Sequence, residues 1–176
     1  MTVNSNAQNL VFFLQYTLYI DNYTVLFYTK LKGGRRLFVM TKENIILYAR
    51  LLRNIFETTD AVEIARRLQY EVHFIDADIR SLKANTYRYE NGTKAIFINQ
   101  GYDDVSRNIL CAHELGHAVF NHKYKNNYKD KNLKNEYDVN LFAVALLFDD
   151  SFNIPLVKMS NYTLQSILDK NISPPV

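Results

Sequence analysis

The stretch His113-Glu114-Leu115-Gly116-His117 constrains this chain more than any other, because its spacing is useful only on a helix. There the two histidines are i and i+4 on one face, so their imidazoles can converge on a single cation. Glu114 is rotated by about 100° from the first histidine, where it can accept a proton from an activated water instead of binding the cation. The flanks agree with a helix. Asp103-Asp104 puts negative charge at the N-terminus, where the helix dipole favours it, and Val105, Ile109, Ala112, Gly116 and Phe120 carry the small and apolar positions to about Asn121. Zinc fits this chemistry: it accepts imidazole and carboxylate, undergoes no redox change and acidifies bound water toward neutrality.

A hydrolytic zinc site needs a third protein ligand and an open position. The next helical run, Leu141 to Leu147, is preceded by Glu136-Tyr137-Asp138-Val139-Asn140. Glu136 and Asn140 are again i and i+4, so a ligating carboxylate and a supporting amide share one face. Glu136 is the preferred third ligand for its longer reach and its Asn140 partner, with Asp138 the alternative. His122 follows the expected helix end, where a cation is favourable without any metal, and His73 falls in a strand and reads as structural. Tyr124, Tyr128 and Tyr137 are candidate phenols for stabilising a tetrahedral intermediate, and the Lys- and Asn-rich stretch from Lys123 to Lys134 reads as a solvated loop.

Composition narrows the class. Apolar residues make up 48% and charged residues 22% of 176 positions, which suits a folded domain of ordinary size. The single cysteine, Cys111, excludes an internal disulfide framework, fits a cytoplasmic setting and reads as small core filler. The formal charge of +3 resides in residues 1–40, where Lys30, Lys32, Arg35 and Arg36 face only Asp21; residues 41–176 carry 17 basic and 17 acidic groups. No basic domain is present, so nucleic-acid binding is not expected.

Residues 1–40 differ from the rest. They hold eight of the 24 aromatic residues, in runs such as Leu10 to Leu14 and Thr24 to Tyr28. No basic segment precedes these runs as in a signal peptide, and Gln15, Asp21 and Asn22 interrupt a membrane span, so no membrane association is expected. Gly33-Gly34-Arg35-Arg36 can be encoded by GGA, GGA, AGA and AGG, the pattern of a ribosome-binding site read in frame, and Met40 follows at initiation distance. Two readings stand: a chain whose functional start is Met40, or a genuine β-hairpin or arm. Mass spectrometry of natively expressed protein separates them, since any peptide from residues 1–39 eliminates the late start.

From Thr41 the pattern becomes regular. Thr41 caps a helix with Ile45, Tyr48, Leu52 and Phe56 on one face, and Thr59 or Asp60 caps a second with Val62, Ala65 and Leu68. Alternation then predicts a strand from Tyr70 to Ile75. Thr86 to Glu90 and Lys94 to Asn99 form two more strands joined at Asn91-Gly92, which tolerates the positive φ of tight hairpins. Helices and a small sheet before a long helix define an α+β domain over residues 41–176.

Several successive pieces resemble the ImmA/IrrE metallopeptidases of phages, integrative elements and bacterial regulators. They are Asp60 to Leu68, Ala95 to Asn99, His113 to His117, Glu136 to Leu147 and the tail from Tyr162 to Leu168. Asp138-Val139 and Phe148-Asp149-Asp150 depart from the family's usual residues there. The resemblance implies a minimal zincin-like fold and a cytoplasmic endopeptidase with Zn2+ on His113, His117 and Glu136 and with Glu114 as the catalytic base. Its implied substrate is a helix-turn-helix transcriptional repressor, and the strand from Lys94 to Asn99 would pair with an extended substrate. A different reading keeps the zinc and drops the catalysis: a regulatory protein that holds its repressor, or one half of a toxin–antitoxin-like pair.

Overall fold

The structure is a computed structural model that describes residues 41–78, 82–120, 133–148 and 152–174, and gives backbone alone for residues 11–13, 16–21, 24–30, 36–38 and 133–134. The chain divides into two compact units, Met1–Asn44 and Ile45–Val176.

In the first unit, β1 (Val11–Phe13), β2 (Tyr16–Asp21), β3 (Thr24–Lys30) and β4 (Arg36–Phe38) form an antiparallel sheet in chain order. The run from Thr24 to Tyr28, made of β-branched and aromatic residues and one Leu, lies within β3. Among the described residues no helix is long and apolar enough to cross a membrane.

Helix α1 (Lys42–Phe56) begins where the sequence places it, with the Thr41 hydroxyl accepting from the Asn44 N–H at 3.2 Å. Its face of Ile45, Tyr48, Leu52 and Phe56 is buried. Helix α2 (Ala61–Arg67) is capped by Asp60, whose carboxylate accepts from the Val62 and Glu63 amides at 2.8 and 3.1 Å. Its buried residues are Ala61, Ile64 and Ala65, whereas Val62 and Leu68 are only half-buried. The inward face is thus turned from the one expected, toward Ile64.

The second sheet consists of β5 (Glu71–Ile75), β6 (Ala84–Arg88) and β7 (Lys94–Asn99), in the order β5-β7-β6. β5 runs parallel to β7 and β6 antiparallel to it. The β6–β7 connection is longer than a two-residue turn. The Gly92 amide donates to the Tyr89 carbonyl at 3.0 Å, the Tyr89 amide donates to Thr93 at 2.8 Å, and Gly92 alone in the turn takes positive φ, at +89°. A tight turn followed by a left-handed glycine is the usual three-residue hairpin loop.

One expectation fails here. β7 is the middle strand, paired on both sides, so it has no free edge for a substrate. Its run Ala95-Ile96-Phe97-Ile98 is that of a strand covered on both faces, with Ala95, Ile96 and Ile98 fully buried. The free edge beside the helix that carries the histidines belongs to β6, among the described residues.

Three more helices follow: α3 (Asp104–Val119), α4 (Leu133–Leu147) and α5 (Asn161–Lys170), with a 3-10 turn at Leu156–Lys158. Asp103 caps α3, accepting from the Ser106 amide at 2.7 Å. α4 is the central helix: Val139 to Leu146 are all buried, consistent with an element apolar on every side. Its last carbonyls would lack helical partners, and Arg53 supplies them, donating to Phe148 O at 3.2 Å and Ala145 O at 3.5 Å. Ser160 caps α5 through the Thr163 amide at 3.1 Å, and Leu164 and Leu168 anchor that helix.

Candidate metal centre

The spacing read from the sequence becomes geometry where α3 crosses α4. The His113 and His117 rings lie 5.0 Å apart between centroids and are tilted by 75°, as side chains on successive turns should be. Both present Nε2 to the carboxylate of Glu136, His113 to Oε2 at 3.7 Å and His117 to Oε1 at 3.7 Å. One ligand atom from each residue lies within 4.8 Å of the other two. Tetrahedral zinc with bonds near 2.1 Å would hold such atoms about 3.4 Å apart, close to the 3.7 Å between each histidine nitrogen and its carboxylate oxygen. The site is partly open: the three side chains are 24%, 11% and 26% exposed, which leaves room for a further ligand. Asp138, the alternative third ligand, is not among the groups gathered there.

The close approach of the two helices depends on Gly116. A Cβ added there would sit 3.0 Å from Val139 Cγ1 and 3.3 Å from both Val139 Cα and Phe142 Cδ1. The missing side chain lets α4 lie against α3, which brings Glu136 and Asn140 within reach of the histidines. At the far end of α3, Lys94 donates to the Ala118 carbonyl next to His117, placing a cation at the helix C-terminus.

Asn140 lies where the i, i+4 argument puts it. Its Oδ1 is 3.0 Å from His113 Nδ1, and its Nδ2 donates to Asn161 Oδ1 at 2.9 Å. A proton held on Nδ1 leaves Nε2 with its lone pair toward Glu136, the form of imidazole a metal requires. The donor set therefore fits zinc: two imidazoles and one carboxylate.

Glu114 faces a different neighbour. It is buried, and the Thr86 hydroxyl on β6 lies 2.9 Å from its Oε2 and 2.8 Å from its own backbone carbonyl. Burial pushes the carboxyl above the ordinary carboxylate range, while the charge of His113 and the Thr86 hydrogen bond pull the other way. Thr86 has one proton and two acceptors available. Toward an ionised Glu114 it donates to the carboxylate; toward a protonated Glu114 it can accept, turning its own proton to the carbonyl. The hydroxyl thus accommodates both protonation states of the carboxyl.

The remaining candidates are elsewhere. His73 is 46% exposed, contacts Glu71 Oε2 at 3.1 Å and stacks on Phe97 at 5.2 Å. The Tyr137 hydroxyl donates to the Met159 carbonyl at 3.3 Å. His122, Tyr124 and Tyr128 lie outside the described residues, as does the Lys- and Asn-rich stretch apart from residues 133 and 134, which belong to α4. Cys111 is fully buried in α3, and burial raises its thiol far above the usual range, which makes it core filler.

Sequence reasoning missed Thr86 and Asn161. Both reach the site from other elements, and neither stands in a recognisable spacing from the histidines.

A small α+β domain with a His-His-Glu cluster between two packed helices is a zincin-like domain. Residues 65–171 match the IrrE N-terminal-like domain of the M78 peptidases, and the chain belongs to that family, as an ImmA/IrrE protein of phage type. It is also 29% identical over 124 residues to a protein of Bacillus phage phi105 named "Uncharacterized immunity region protein 2". That match covers 68% of this chain and 77% of the phage protein. No solved structure matches it.

Proposed function

We propose that this protein is a cytoplasmic zinc-dependent endopeptidase that cleaves a helix-turn-helix transcriptional repressor and so relieves repression of a phage or mobile element. The observation that carries the reading is the convergence of His113 Nε2 and His117 Nε2 on the Glu136 carboxylate, with Glu114 buried one residue away. The phage relative's immunity-region name and the family's metallopeptidase character support the regulatory part.

His113, His117 and Glu136 would hold the ion. Zinc bound there supplies a Lewis acid for the scissile carbonyl and lowers the pKa of water. Glu114 takes the proton from the attacking water and returns it to the leaving amine. Burial raises its basicity toward the working pH, and Thr86 steadies it in either protonation state. Among the described residues β6 has one unpaired edge and carries Thr86, which touches Glu114, so an extended substrate segment pairing there would lie one strand from Glu114.

Metal analysis of the purified protein, followed by incubation with the repressor encoded next to it, tests the reading. About one zinc per chain and a discrete, chelator-sensitive cleavage are expected. A zinc-free protein, or a repressor left intact by the loaded one, overturns it.

Thr86→Val tests the proton-handling part. The Thr86 hydrogen bond favours the ionised carboxylate, so removing it raises the Glu114 pKa further. The acid limb of kcat/KM should then move to higher pH, with zinc affinity unchanged. An unmoved limb would show that Thr86 has no part in the proton transfer.

A further inference from the structure

We propose that Arg88, the last residue of β6, is a specificity-determining residue that selects an Asp or Glu side chain in the bound substrate; this rests on the reading of the protein as a protease whose substrate pairs with the β6 edge. In a strand, residues two apart share a face, so Arg88 stands on the same side of β6 as Thr86. That is the side of α3. Thr86 touches Glu114, and Lys94, the register partner of Arg88 on β7, donates to the Ala118 carbonyl. Two residues of strand span about 7 Å, so Arg88 lies that far along the edge from Thr86, toward the C-terminal end of α3.

The guanidinium is available. Arg88 is exposed, and among the described residues no carboxylate pairs with it, Glu90 two residues on included. Other arginines are committed: Arg67 to Glu63, Arg107 to Asp104 and Arg53 to the last carbonyls of α4. The register partner does not quench the charge either. The Lys94 amine has the same sign and is engaged by Ala118, and burial together with the Arg88 charge holds its pKa below the usual lysine range. Two cations side by side at an unpaired edge make a positive spot that an incoming carboxylate would neutralise. A strand paired with β6 sets one side chain directly opposite Arg88 on the same face, where opposite charge is favourable and like charge is not. On the other face Tyr87 and Tyr89 pack edge to face at 5.1 Å and carry no charge, which confines the charge preference to one position.

The test incubates the full chain, loaded with zinc, with a mixture of synthetic random-sequence peptides and reads the cut sites by mass spectrometry. Wild type should show Asp or Glu enriched about fivefold at a single position near the cut. Arg88→Glu should replace that enrichment with Lys or Arg at the same position, a swing of at least about tenfold, with zinc content unchanged. Arg88→Gln should abolish the preference without reversing it. Retention of the same peptides on immobilised Glu114→Gln chain reads the selection without cleavage. Peptides cut or retained with no acidic preference, or with the same preference in Arg88→Glu, overturn the proposal. Arg88 would then be a charge that only guards an open edge, and the protease reading would stand. That reading fails instead if nothing is cut. Retention then decides the role of Arg88, and if nothing is retained either, the proposal falls as well.

Discussion

Glu114→Gln should lower kcat for repressor cleavage by about 10²–10⁴-fold while zinc content and repressor binding stay near wild type. The substitution is nearly isosteric, and the amide oxygen can still accept from Thr86, so the buried contact at 2.9 Å survives. What is lost is the capacity to hold a proton. The candidate ligands His113, His117 and Glu136 are untouched, which is why metal and activity should separate. The metal-free stability should change in a definite direction. Burial raises the Glu114 carboxyl in the folded state, so the wild type is favoured at low pH and loses that advantage as pH rises past the unfolded and then the folded pKa. At neutral pH the variant carries no such cost, and it should melt at or above the wild-type temperature. The same variant separates the two functional classes. A protein that regulates by holding its repressor would derepress normally with glutamine at 114, and that outcome would sink the protease reading.

Much of the site was legible because its signals are local. His113 with His117, and Glu136 with Asn140, are each pairs four residues apart, and helical geometry alone puts both members of a pair on one face. Caps were legible for the same reason: Thr41, and Asp60 as one of two candidates, each bond an amide two or three residues on, whereas Asp103 was read only as favourable charge and turned out to cap α3. What escaped was non-local. Thr86 meets Glu114 across 28 residues and Asn161 meets Asn140 across 21, and no periodicity encodes which strand or helix end will arrive there. The inward face of α2 was misjudged because Val62, Ile64, Ala65 and Leu68 offer two apolar stripes, and packing chose the one containing Ile64. That β7 has no free edge went unread even though the signal was available. A nearly unbroken apolar run such as Ala95 to Ile98 marks a strand covered on both faces, whereas the polar Asn85, Thr86 and Arg88 mark an edge.

Gly116→Val should cost about 1–3 kcal/mol of stability and weaken zinc binding at least about tenfold, although residue 116 has no ligand atom of its own. Even a single Cβ there would meet Val139 Cγ1 at 3.0 Å and the α4 backbone at 3.3 Å, and valine adds two methyl groups to that gap. The fully buried Val139 cannot swing into solvent, so the strain must be relieved by moving α4 away from α3. Glu136 lies one turn before Val139, and Asn140 directly follows it. The displacement that clears Val139 therefore carries Glu136 and the His113 partner Asn140 outward together. Alanine should be milder: helix propensity returns about 1 kcal/mol over glycine, against a contact that Val139 must yield by a few tenths of an ångström. Adding Val139→Ala to Gly116→Ala should recover zinc affinity by removing the clashing methyl. Chelator competition and urea unfolding on the same samples would measure both effects. A Gly116→Val protein that binds zinc as tightly as wild type would show that the spacing of α3 and α4 does not set the geometry of the centre.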